Sequence, residues 1–94
     1  MLILKEEKII DPNNVIGRNI KRIRKEKGIG QTELVKMLQL NNVDITRETL
    51  VKIEGGRQHI KLEQLKGIKN ILHLDYEALL NNIESSLEDS NGKI

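Results

Sequence analysis

The chain has 94 residues, room for one small domain and not two. Hydrophobic residues make up 37% and aromatic residues 1%, so one modest core built from Leu, Ile and Val is expected. The absence of cysteine excludes disulfides and thiolate metal sites, and a net charge of +2 says little until it is mapped.

Mapped, the charge is uneven. Residues 1–73 hold 15 Lys/Arg against 9 Asp/Glu, a net +6. Residues 74–94 hold Lys93 against Asp75, Glu77, Glu84, Glu88 and Asp89, a net −4. A basic body with an acidic tail is a mild pointer to a polyanionic partner, and a solvated surface explains it as well. No apolar run approaches the roughly 18 residues a membrane span needs. MLILKEEKII lacks the apolar run of a signal peptide, so the expected location is the cytoplasm.

Residues 1–10 are weakly patterned and read as an N-terminal arm, either a strand or disordered. Asp11-Pro12 predicts a helix start, with Asp accepting from orphan amides and Pro suiting the first turn. Ile16, Ile20 and Ile23 follow at helical spacing, and Gly28 stops the helix. Gly17 inside it costs about 1 kcal/mol of helix propensity. Its polar face carries Arg18, Lys21, Arg22, Arg24, Lys25 and Lys27 against Glu26 alone.

QTELVKML, residues 31–38, predicts a second helix with Leu34, Val35, Met37 and Leu38 on its apolar side. Gly30 stands where a capping Ser or Thr would be stronger. QLNNVD, residues 39–44, is a polar linker whose paired asparagines signal a turn. Thr46 caps a third helix, which ends at Gly55-Gly56 with Leu50 and Ile53 inward. Residues 61–72 predict a fourth helix. Asp75 caps a fifth, DYEALLNNIESSL, with Tyr76, Leu79, Leu80, Ile83 and Leu87 as its stripe. The expected division is an arm over 1–10, a domain over 11–87 and an acidic tail over 88–94.

Five short helices with little strand signal predict a small all-α domain. Their order carries a resemblance: a basic first helix, then IRKEKGIGQTELVKML, then ITRETLVKIEGGR. Over about residues 16–80 the chain resembles the Cro/C1-type, lambda-repressor-like helix-turn-helix regulators. The stretch from Leu38 to Thr46 exceeds the usual turn, which is similar to an extended-turn subgroup with an I-(T/S)-R start to the third helix. Gly30 departs from the family's Ser or Thr.

The resemblance implies a five-helix DNA-binding domain with its third helix, 46–54, in the major groove. A helix so placed needs an apolar back and a polar front that hydrogen-bonds base edges. Arg47, Glu48, Thr49 and Lys52 are the candidate base contacts. Arg47 suits guanine O6 and N7, and Thr49 suits a thymine methyl or a phosphate. Glu48 suits a cytosine amino group, repulsion of phosphate, or simply a helix start. Gln31 matches a family position that touches phosphate and buttresses the reading helix. Thr32 and Arg57 are further phosphate candidates. The family also pairs an arginine of the first helix with the Glu of I-E-x-G, here Arg24 with Glu54, as structural glue that also presents the arginine to phosphate.

The leading expectation is a sequence-specific regulator, a repressor, binding double-stranded DNA as a homodimer. Ile83, Leu87 and the N-terminal apolar patches are candidate dimer contacts. The alternative is an antitoxin-like module docking a partner protein through its helices and tail. No phosphate-binding glycine loop, paired nucleophile and base, or metal-ligand spacing stands in the chain, and His59 and His73 lie far apart. An enzyme, a metal, a cofactor and a small-molecule ligand are therefore not expected.

Overall fold

A computed structural model describes residues 8–81. Within them the protein is all-α, with five helices in chain order: α1 Val15–Glu26, α2 Gln31–Leu40, α3 Arg47–Glu54, α4 Leu62–Ile71 and α5 Tyr76–Leu80. α1 packs against α3 and α5, and α2 packs against α3 and α4. Ile20, Leu34, Leu38, Leu50, Ile68 and Leu79 lie fully buried where these helices meet. None of these helices is long and apolar enough to cross a membrane.

The first helix starts later than Asp11-Pro12 predicts. Residues 12 and 13 form a turn, and Asn14 takes a left-handed conformation at φ 53°. The Asp11 carboxylate reaches over that turn and accepts from the amides of Val15 at 2.9 Å and Ile16 at 2.7 Å. Asp11 thus satisfies the orphan donors as expected, from four residues back, and Pro12 falls outside the helix. Gly28, at φ 70°, ends the segment in the left-handed conformation a side chain would resist.

Gly17 has a reason to be in α1. A Cβ there would run into the carbonyl oxygen of Ile53 and the side chain of Asn14. The missing side chain lets α1 and α3 approach each other, which offsets the propensity cost. Gly67 does the same in α4, where Val43 of the long turn lies against it.

α2 runs two residues beyond the expected 38, taking in Gln39 and Leu40. The turn proper is Asn41-Asn42, with Asn42 at φ 64°. The rest of the extended connection is tied down by two glutamines. Gln39 Nε2 donates to the Ile45 carbonyl at 2.8 Å, and Gln64 Nε2 donates to that of Asp44 at 3.1 Å. Gln64 is buried, and its Oε1 also accepts from Lys61 N at 2.9 Å, closing the start of α4.

α5 is the clearest departure. Asp75 occupies the cap position but makes no side-chain cap bond, and the helix stops at Leu80, where Asn81 turns extended. The buried Asn19 of α1 explains the stop. Its Nδ2 donates to the carbonyls of both Leu79 and Asn81, each at 2.8 Å, so these carbonyls are held by α1. Tyr76 and Leu80, expected inward, are 39% and 48% exposed. Ile83, Leu87 and the tail lie outside the described residues. Of the arm, Lys8 makes an isolated antiparallel bridge with Lys61, and Ile9 N donates to Ile60 O at 2.8 Å; residues 1–7 also lie outside.

Candidate nucleic-acid interface

α3 has eight residues, too few to hold a helix in water by itself. It is secured at both ends and along its back. Thr46 Oγ1 accepts from Thr49 N at 3.1 Å, capping the start. At the far end Gly56 turns left-handed at φ 78°, and Asn14 Nδ2 donates to the carbonyl of Glu54 at 3.1 Å. Along the back, Leu50 and Ile53 are 0% and 2% exposed, and Ile45 before the cap is also buried.

Glu54 is the centre of a buried polar junction. Arg24 Nε donates to Oε2 at 2.8 Å and Nη2 to Oε1 at 2.9 Å, a bidentate pair. Arg24 Nη1 donates to the Ile29 carbonyl at 2.9 Å, and Gln31 Nε2 donates to Glu54 Oε1 at 3.0 Å. The carboxylate therefore joins α1, the first residue of α2 and the last of α3, and Arg24 carries the junction on to the turn after α1. The Arg24 side chain is 8% exposed with all three nitrogens donating inside the protein. It is turned to the interior rather than offered to a phosphate, which corrects that part of the expectation. The amide of Gln31 is likewise committed to Glu54, the buttressing of its two implied roles.

With its back held, α3 turns Arg47, Glu48 and Lys52 to solvent. Glu48 and Lys52 stand one turn apart on the outward ridge, while Arg47 lies to the side facing α2. Thr49 is half-buried, and its oxygen accepts from Thr46 Oγ1 at 3.0 Å. Its own O–H remains a donor. Thr32 is exposed in the first turn of α2. Arg57 is exposed just past α3, where its amide donates to the Lys52 carbonyl at 2.8 Å.

Between the start of α2 and Arg47 lies an open cleft of about 520 Å³ that also takes in Glu33 and Lys36. Lys36 escaped the sequence reading. The available signal was its spacing: it follows Thr32 by four residues on the same outward ridge of α2. Asn14 escaped too, and nothing local marks it as the residue that ties the end of α3.

No family model and no curated sequence matches the chain. Solved structures are similar, two of them as follows. One is a hypothetical transcription factor, NHTF, from Neisseria: 24% identical, covering 94% of this chain and 98% of that one, at a TM-score of 0.66. The other is the clp gene regulator ClgR from Corynebacterium glutamicum: 19% identical, covering 89% and 86%, at a TM-score of 0.67. The chain thus shares its fold with these two proteins.

Proposed function

We propose that the chain is a Cro/C1-type helix-turn-helix regulator that binds duplex DNA by sequence, as a homodimer in the cytoplasm, and represses transcription. The observation that carries this reading is the division of α3: an exposed Arg47, Glu48 and Lys52 in front, and a back of Leu50, Ile53 and Glu54 clamped by three other segments. Such an element can enter a major groove without giving up its own packing. Arg47, Glu48, Thr49 and Lys52 take the base edges. Thr32, Arg57 and the amides at the start of α2, beside Gln31, take phosphates. One such domain buries too little surface for tight specific binding, which favours two copies on a two-fold site.

Selection of bound duplexes from a random library tests this directly, and inverted repeats are the expected outcome. Against the selected site, Arg47→Ala is expected to cost about 1–3 kcal/mol and to relax one base position. Arg57→Ala weakens all sequences alike. Identical losses for both across every sequence would overturn the division of roles.

One observation favours a second reading, a module that docks a partner protein. Tyr76 and Leu80 stand four residues apart on α5, both exposed. Docking on that apolar pair would tolerate added salt, whereas binding to several phosphates weakens steeply with it.

A further inference from the structure

Resting on the DNA-binding reading, we infer that Lys36 is a phosphate contact, and that the cleft it shares with Arg47 seats the DNA backbone beside the groove that α3 reads. The cleft lies between Gly30, the first turn of α2 and Lys36 on one side and Arg47, the first residue of α3, on the other. Its α2 wall is an outward ridge: Thr32 and Lys36 are exposed one turn apart, with Leu34, Val35 and Leu38 buried beneath them. Lys36 and Arg47 make no ion pair among the described residues, so two cations face the same open space. The one carboxylate in the lining, Glu33, turns back toward Gly30 N at 3.4 Å. The free amides of the α2 start add partial positive charge at one end.

The cleft is largely open to solvent and does not enclose a compact ligand, whereas binding pockets bury most of theirs. A continuous polyanion passing across it meets Lys36, while Arg47 at the edge of the cleft reaches into the adjoining groove. In a helix-turn-helix the helix before the reading helix crosses the backbone, which brings a strand to this position. Lys36 then extends the phosphate track one helical turn beyond the start of α2, and the flexible stem of lysine lets it serve as a point charge without reading bases.

The test is salt-dependent duplex binding by the full chain and its Lys36→Met variant, which keeps the stem and removes the charge. Counterion release predicts a salt slope smaller by about 0.9, and binding weaker by roughly fivefold at 0.15 M salt against a 1 M reference. The loss is equal for the selected site and for an unrelated duplex. Lys36→Arg restores the slope, and Lys66→Met, removing an exposed charge on α4, leaves it unchanged. An unchanged slope in Lys36→Met, or a changed ranking of sequences, overturns the assignment while the DNA-binding reading stands. A wild-type chain with no salt-dependent duplex binding overturns that reading and this inference with it.

Discussion

α3 and α5 look alike as sequence: each is a short amphipathic segment behind a polar cap residue, and neither is long enough to form alone. In the folded chain they differ sharply. Thr46 caps α3 with its side chain, Asn14 ties its last carbonyl, and Glu54 anchors it to Arg24 and Gln31. Asp75 gives α5 no side-chain cap, Leu79 is its one fully buried residue, and Asn19 ends it after five residues. In a domain this small, a short helix is as well defined as its polar attachments to distant segments. Of these two helices, the one that carries the proposed function has more such attachments among the described residues.

The largest expected effect that could break this contrast is at the buried pair. Glu54→Ala leaves the Arg24 guanidinium buried without its carboxylate, and is expected to cost about 3–5 kcal/mol in denaturant unfolding. Replacing both partners by apolar residues, Arg24→Met with Glu54→Leu, is expected to cost less than the single change, because no charge is stranded. A Glu54→Ala protein that unfolds at the wild-type midpoint would mean that the junction does not hold α3.

Next in size is Gly17→Ala, where two effects have opposite signs. Helix propensity alone predicts a gain of about 1 kcal/mol. The collision with the Ile53 carbonyl predicts a loss of about 1–3 kcal/mol, because α1 must move off α3. The measured sign of the change in melting temperature decides between them, and a gain would show that the two helices are not locked at this contact.

The smallest effects sharpen the comparison of the two helix starts. Thr46→Ala is expected to cost about 1 kcal/mol through the lost cap. Asp75→Ala, with no side-chain cap bond to lose, is expected to stay within about 0.5 kcal/mol. Equal costs would mean that the two starts are held alike.

Much of this arrangement was legible in the chain. The periodic spacing of Ile16, Ile20 and Ile23, of Leu34 and Leu38, and of Leu50 and Ile53 reports a buried helical face, and all of these are buried. The outward set Arg47, Glu48 and Lys52 follows from the same period. Gly28 and Thr46 mark their helix ends through local backbone chemistry alone. The all-α order of five helices was therefore readable, as was the exposure of the front of α3.

What the chain alone determined is the set of segments that coil and the side of each that avoids water, since both depend on residues within a few positions of one another. The folded arrangement decided the rest: where α5 stops, why Gly17 is tolerated, which way Arg24 points, and that Lys36 shares a cleft with Arg47. Those outcomes rest on partners far apart in sequence, 30 residues for Arg24 with Glu54 and 60 for Asn19 with the Leu79 carbonyl. No local period encodes such a bond, because it forms only after the helices have packed.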